Sequence, residues 1–396
     1  MIIGTAVGPP NPRRLLLLSS EFPPGPGGIG THAFQLARHL TRLNWTVQVL
    51  SPQPYVSVTE RADFNRRQPF SILSLPERER GRFWWAERVR MVASALRAFK
   101  PDVLLATGRR SLWMASGIQS LSNSPWVAIG HGSEFQNRNR GTEWLTRRAI
   151  GRAELVIAVS DYTAGLIRHI ATPRRLVVIP NAADGDRFRP GLDTSELRRA
   201  WDIQKQPVLL TVGQVSERKA QDIIIRAMPN ILAVFPDTQY IMAGLPSRES
   251  EFWRLAVELG VQDHVRFAGM IADDVLPQVY NLADLFVLVS RRTVDGDVEG
   301  YGIVVQEAAL CGVPAVVSRD CGLTEAILEG TTGLSVPPND PAATAAAIID
   351  LLGNSKRRIE MGRCAREQAL TATWAERAAE YDRVLRTSLA PQFDLI

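Results

Sequence analysis

Cysteine is scarce in this chain: Cys311, Cys321 and Cys364 are the three among 396 residues. An odd number at these spacings excludes a disulfide framework and a zinc-type cluster, and it suits a reducing, cytoplasmic setting. Long apolar runs are missing too. Leu15–Leu18 is followed at once by Ser19, Ser20 and Glu21, well short of the ~20 apolar residues a spanning helix needs. Residues 1–14 hold five prolines or glycines and no extended apolar core, so a secretory signal is not expected. There is no low-complexity tract, no short repeat and no aromatic–basic motif of the nucleic-acid binders, so nucleic acid is not an expected partner.

What is present is a chain that is 45% hydrophobic and 22% charged, enough for two domains of about 190 residues, each with its own core. The charge is split unevenly. Residues 1–190 carry 26 Lys or Arg against 13 Asp or Glu, a net +13, and the remainder carry 20 against 28, a net −8. The basic half is expected to meet something anionic, either a membrane surface or a charged acceptor.

Short apolar segments alternate with helical or polar ones. In the first half the predicted strands are Arg14–Ser19, Trp45–Leu50, Val103–Ala106, Trp126–Ile129, Leu155–Val159 and Leu176–Ile179, with a helix over Thr31–Leu43. A second series runs through Val208–Val212, Tyr240–Ala243, Val265–Phe267, Leu285–Val289, Ala315–Val317 and Gly333–Val336. Such alternation predicts an α/β fold with two parallel sheets covered by helices on both faces. The Pro-, Gly-, Asn- and Asp-rich loop Pro180–Pro190 is the predicted hinge. Helices are predicted over Pro341–Leu352, Lys356–Gln368 and Trp374–Ser388, the last with Trp374, Ala378, Tyr381 and Leu385 on one face.

The richest stretch is Asp295-Gly-Asp-Val-Glu299-Gly-Tyr-Gly-Ile-Val-Val-Gln-Glu307, which sets two carboxylates eight positions apart around a glycine-broken helix start. A helix beginning near Gly302 presents orphan N–H groups and about half a positive charge, which favour a diphosphate. Glu299 precedes that terminus, and Glu307 lies about 7 Å along the axis from Gly302. Carboxylates on either side of a phosphate site can accept hydroxyls from a sugar at one end and a ribose at the other.

This constellation resembles the E-x7-E signature of the retaining GT-B glycosyltransferases of family 4, also called group 1. The segment Asp297–Val304 is most similar to the phosphatidylinositol mannosyltransferase type. The resemblance implies a GT-B fold of two Rossmann-like domains facing each other across a cleft. Their expected bounds are 1–188 for the acceptor side, 189–373 for the donor side and 374–396 for a helix returning to the first domain. It also implies transfer of a hexosyl group from a UDP- or GDP-linked sugar to an acceptor hydroxyl with retained configuration, and no metal or other cofactor.

Further candidate residues follow on the same ground. Gly25-Pro-Gly27-Gly28-Ile-Gly30 matches G-x-G-x-x-G, but Glu21-Phe-Pro-Pro24 intervenes after the strand, and the next strand ends at Leu50-Ser51-Pro52 with no acid for a ribose. Gly27 and Gly28 are instead expected to touch the donor's distal phosphate, as in the family's Gly-Gly loop. Lys219 matches a family lysine that meets the departing diphosphate, whereas Gln214 stands where the family has an arginine; Arg218 is a candidate to supply that charge. His131, in Gly130-His-Gly-Ser-Glu134, is expected to position sugar hydroxyls or the acceptor. Val265–Ile271, with Met270 at its end, resembles the segment whose backbone holds the base. Backbone amides at Gly300, Tyr301, Gly302, Ile303 and Val304 are expected to stabilise the diphosphate, with Glu299 on the sugar and Glu307 on the ribose. Ser160 and Asn181 match positions near the cleft, and Ala182 replaces the glycine usual after that asparagine.

The Asp-x-Asp triplets at Asp184 and Asp295 raise the thought of a metal, but Lys219 and the helix start already provide positive charge. Arg78 to Met91 joins cations to Trp84 and Trp85, and could lie on an anionic membrane with a lipid-linked acceptor. A nucleotide-sugar epimerase and a non-catalytic nucleotide-sugar binder remain alternative readings, the second favoured by Gln214 alone.

Overall fold

The computed structural model describes residues 12–77, 83–136 and 139–389. Residues 1–11, part of the segment read above as no secretory signal, and Arg78, Arg80 and Arg82 of the cationic–aromatic stretch lie outside the described residues.

Two all-parallel sheets are present. The first is built from β1 (Arg13–Ser19), β2 (Trp45–Ser51), β3 (Ser71–Ser74), β4 (Val103–Thr107), β5 (Trp126–Gly130), β6 (Leu155–Ala158) and β7 (Leu176–Val178), in the order 3-2-1-4-5-6-7. The second comprises β8 (Val208–Val212), β9 (Gln239–Ala243), β10 (Val265–Gly269), β11 (Leu285–Leu288), β12 (Ala315–Ser318) and β13 (Gly333–Val336), in the order 10-9-8-11-12-13. Both are doubly wound, and their switch points fall between β1 and β4 and between β8 and β11. The loops after these strands carry Glu21, Gln214 and Glu299.

The helices of the first unit are α1 (Gly28–Arg42), α2 (Val58–Arg66), α3 (Trp84–Phe99), α4 (Arg109–Ile118), α5 (Arg140–Arg152) and α6 (Asp161–Ile170). Those of the second are α7 (Ser195–Ala200), α8 (Gln221–Leu232), α9 (Glu249–Glu258), α10 (Leu276–Leu282), α11 (Ile303–Leu310), α12 (Pro341–Gly353) and α13 (Ser355–Leu370), followed by α14 (Trp374–Leu389). The run Leu15–Leu18 shows why the strands lack polar alternation. Leu15 and Leu17 join one core cluster, Leu16 and Leu18 another on the opposite face, and all four are at most 1% exposed. Helices cover both faces, so every position is apolar, each leucine contributing roughly 1.5–3 kcal/mol on burial.

The chain crosses between the sheets in irregular backbone after β7 and again after α13. Beyond the second crossing, α14 buries Trp374, Ala378, Tyr381 and Leu385, the face its spacing predicted, and packs against α1. Trp45 Nε1–H donates to Asp382 at 2.6 Å, and Arg386 reaches the Leu43 carbonyl at 3.3 Å.

Two features differ from the sequence expectation. The edge strand β3 was not anticipated, because its four residues Ser-Ile-Leu-Ser are only partly covered and read as loop. Helix α1 starts at Gly28 rather than Thr31. The Glu21 carboxylate accepts the amides of Ile29 and Gly30 and so nucleates the helix three residues early.

Candidate functional site

Cations and carboxylates from two loops meet at the C-terminal end of the second sheet. Lys219 Nζ lies 2.6 Å from Glu299 Oε2, and the Arg218 guanidinium bonds the same oxygen. Arg218 Nε also contacts Asp297 at 3.1 Å. Burial alone would raise the Glu299 pKa, but Arg218 and Lys219 outweigh it and hold the carboxyl at about 2. Burial lowers the Lys219 pKa against the pull of Glu299. In Arg218 the same desolvation is overcome by Glu299 and Asp297, so its pKa is raised. Two cations and two carboxylates thus face one another in a single ion-paired cluster.

Three residues past Glu299, Gly302 takes φ 86°, a left-handed cap that few other residues adopt, and α11 begins. No side chain caps the amides of its first turn. Ile303 and Val304 are half-buried and Tyr301 is buried. Glu307, one turn further, is buried rather than on the surface, and its Oε2 accepts the Tyr280 hydroxyl at 2.6 Å. Burial raises its pKa, with the Tyr280 hydrogen bond opposing.

Gln214 is exposed and its amide donates to Ser247 Oγ at 2.7 Å, while Arg218 sits inside the charged cluster. Met270 follows β10 and is half exposed. Both aspartates of the second Asp-x-Asp triplet lie near this cluster in sequence, but only Asp297 is tied into it. In the first triplet, Asp184 accepts the amides of Asp186 and Arg187 and so closes a local turn.

The first domain lines the other wall. His131 follows β5, with Nε2 2.7 Å from Thr107 Oγ1 at the end of β4, and its own amide donates to Glu134 at 3.1 Å. Burial pushes the His131 pKa down to about 3 and Glu134 up to about 7. The His32 ring from α1 stacks edge-on against His131 with centroids 4.9 Å apart and meets Tyr381 Oη of α14 at 3.1 Å. Gly27 and Gly28 precede and open α1, but the next two amides are already taken by Glu21, whose carboxyl feels Arg218 across the cleft. Asn181 is buried beyond β7.

Sequence reasoning thus named Arg218, Lys219, Glu299 and Glu307, and the structure brings the first three together. It missed Asp297 as their fourth partner, Tyr280 against Glu307, and Thr107, His32 and Glu21 on the opposite wall. His32 and Tyr280 fall on apolar helix faces and look like core. Glu21 offered one signal, a lone acid between a strand and the glycine loop.

The profile described as "Glycosyltransferase Family 4" matches residues 26–187 and that described as "Glycosyl transferases group 1" matches 193–368. The chain is 30% identical over 390 residues to the GDP-mannose-dependent alpha-(1-6)-phosphatidylinositol monomannoside mannosyltransferase of Mycolicibacterium smegmatis, covering 94% of this chain and 98% of that protein. It is 33% identical over 258 residues to the D-inositol 3-phosphate glycosyltransferase of Geodermatophilus obscurus, covering 63% of this chain and 55% of that one. Among solved structures, sucrose-phosphate synthase from Thermosynechococcus elongatus superimposes with a TM-score of 0.81 at 21% identity, over 96% of this chain and 99% of that one. Anabaena HepE in complex with UDP and glucose does so at 0.80 and 20%, over 95% and 100%.

Proposed function

This chain belongs to the group 1 glycosyltransferases of family 4, and from that premise we propose that it moves a mannosyl group from GDP-mannose to a hydroxyl of a phosphatidylinositol-type glycolipid, with retained configuration. The observation that carries the donor and acceptor is the 30% identity that extends over 98% of a GDP-mannose-dependent phosphatidylinositol monomannoside mannosyltransferase. That the chain is a nucleotide-sugar-dependent transferase needs no proposal; the epimerase and non-catalytic readings have no feature of the fold in their favour.

The charged cluster supports a mechanism. In the cluster Glu299 neutralises Lys219 and Arg218, and a diphosphate would offer both cations a second set of oxygens, freeing Glu299 to accept sugar hydroxyls. The α11 amides from Gly302 to Val304 would take up charge as the diphosphate departs, an electrostatic contribution that is greatest where water is excluded. Arg218 would supply the cation that Gln214 does not. Glu307 would accept the ribose hydroxyls, and Met270 would lie by the base. His131, held neutral by burial, would orient hydroxyls on the opposite wall. Attack and departure would share one face of the sugar, with no covalent nucleophile.

We further propose that the basic first domain rests on anionic membrane. Among the described residues no helix is long and apolar enough to span one. Helix α3 carries Trp84 at its start with the Arg88 and Arg110 guanidinium groups over the ring, and Phe83 just before it is 74% exposed.

The test is a panel of GDP- and UDP-sugars, following nucleoside diphosphate release with and without phosphatidylinositol mannosides in anionic vesicles. Acceptor-dependent release from GDP-mannose is the expected result. Release that is faster from a UDP-sugar, or that ignores the lipid, would replace the donor or the acceptor.

A further inference from the structure

The loop that leads into α11 is held from the opposite domain. Ser160, fully buried where β6 meets α6, accepts the Thr163 amide at 2.9 Å and donates its hydroxyl hydrogen to the Gly300 carbonyl at 2.6 Å. One hydroxyl therefore caps α6 and bridges the cleft. Glu325, in the 3-10 turn Gly322–Ala326 of the second domain, spans the same gap in the other direction. Its two carboxylate oxygens accept the amides of Asp161 at 2.8 Å and Tyr162 at 2.7 Å. These are the first amides of α6, where orphan donors favour a carboxylate. Arg292 donates to Tyr162 Oη at 3.1 Å beside them.

The backbones leave no slack. A Cβ on Gly300 would lie 1.7 Å from the His131 carbonyl oxygen, so only glycine allows the loop to lie against that strand end. From its own domain, the Gly322 amide donates to the Glu299 carbonyl at 2.9 Å. The carbonyls of Glu299 and Gly300 are thus held from two sides, immediately before Gly302 turns the chain into α11.

We propose that Ser160 and Glu325 are positioning residues that form a closure latch: they fasten the first turn of α6 to the loop presenting the α11 amides, so that those amides align with the donor diphosphate only when the two domains are docked. The proposal builds on the donor site proposed above, but the latch has a readout of its own. These hydrogen bonds cross directly between the two domains, so their loss is expected to loosen the closed arrangement whatever ligand the cleft takes.

The experiment compares the full chain with Glu325→Gln, Ser160→Ala and Ser160→Thr, by small-angle X-ray scattering without ligand and by steady-state transfer kinetics. Glu325→Gln keeps the side chain's size but offers one acceptor oxygen to two amides and sets its NH2 against the other. Ser160→Thr retains the hydroxyl and serves as the rescue. The expected result is a larger radius of gyration for Glu325→Gln and Ser160→Ala. Their kcat should fall about tenfold with donor KM changed by less than about twofold, because the latch acts on alignment rather than on ground-state binding. Ser160→Thr should stay within about twofold of the parent in both. Parent-like size and kcat in both of the first two variants would overturn the latch. Opening of those variants in a chain whose parent turns over no nucleotide sugar would uphold the latch and remove the donor-site reading instead.

Discussion

On the C-terminal wall of the cleft, Arg218, Lys219, Asp297 and Glu299 are buried or half-buried and tied to one another as ion pairs. On the N-terminal wall, His32 and His131 are held neutral by burial, and the Glu134 carboxyl is raised to about 7 by the same cause. The net charges of the two halves run the other way: the +13 half provides the wall with His32 and His131, and the −8 half provides the wall with the clustered cations. A site's protonation state follows from partners within hydrogen-bond reach and from desolvation, whereas a domain's net charge acts through its solvated surface.

The sharpest way to break this contrast is to unpair the charged wall. Lys219→Ala is expected to cut kcat by about 10²–10³, the range seen when one preorganised donor to a developing charge is lost, with a smaller change in donor KM. Its counterpart Glu299→Gln leaves Lys219 without a carboxylate and Arg218 with Asp297 alone, and is expected to destabilise the fold by about 3 kcal/mol, read as a lowered urea midpoint. If Lys219→Ala turned over like the parent, the cluster would be structural only. Glu307→Gln should be milder. It retains a hydrogen bond to Tyr280 and is expected to raise donor KM about tenfold with kcat nearly unchanged, since the ribose contact is equal in ground and transition states. A loss in kcat instead would place Glu307 at the reacting centre.

The neutral wall is tested by pH. His131 has a folded pKa near 3 against 6.5, so the folded chain binds fewer protons between those values. Its contribution is present above about 6.5 and is lost as pH falls towards 3. Glu134, raised from 4.5 to about 7, works in the opposite sense: its contribution is full below about 4.5 and is lost as pH rises through 7. Between about 4.5 and 6.5 the two oppose each other. Urea midpoints followed across this window should therefore fall more steeply on acidification in Glu134→Gln and less steeply in His131→Asn. Identical slopes in parent and variants would mean that water reaches this wall.

Much of the fold was legible because its signals are local. The leucine run of β1, the apolar runs of the remaining central strands and the one-sided spacing Trp374, Ala378, Tyr381, Leu385 each follow from burial on both faces or on one. β3 was not, since a short edge strand buries too little to leave a pattern. In the candidate site, Glu299 and Glu307 could be named from spacing around a helix start, and Lys219 from the family resemblance. Gly27 and Gly28 were named as phosphate ligands from the family's Gly-Gly loop; the two amides that follow them are bonded to Glu21, the farther one nine residues along the chain.

That Gln214 stands where an arginine is usual follows from the family resemblance; by itself the sequence determined that there are two doubly wound sheets and that a glycine-led helix start lies between two glutamates. These are properties of neighbours along the chain, where period, spacing and turn residues are written directly. Only the tertiary structure decided that Arg218 joins Lys219 on a shared Glu299 oxygen, that His32 and Tyr381 back His131, and that Ser160 and Glu325 fasten one domain to the other. Those contacts join residues up to 349 positions apart, and their strength comes from desolvation that exists only once both sheets and the returning helix have enclosed the cleft.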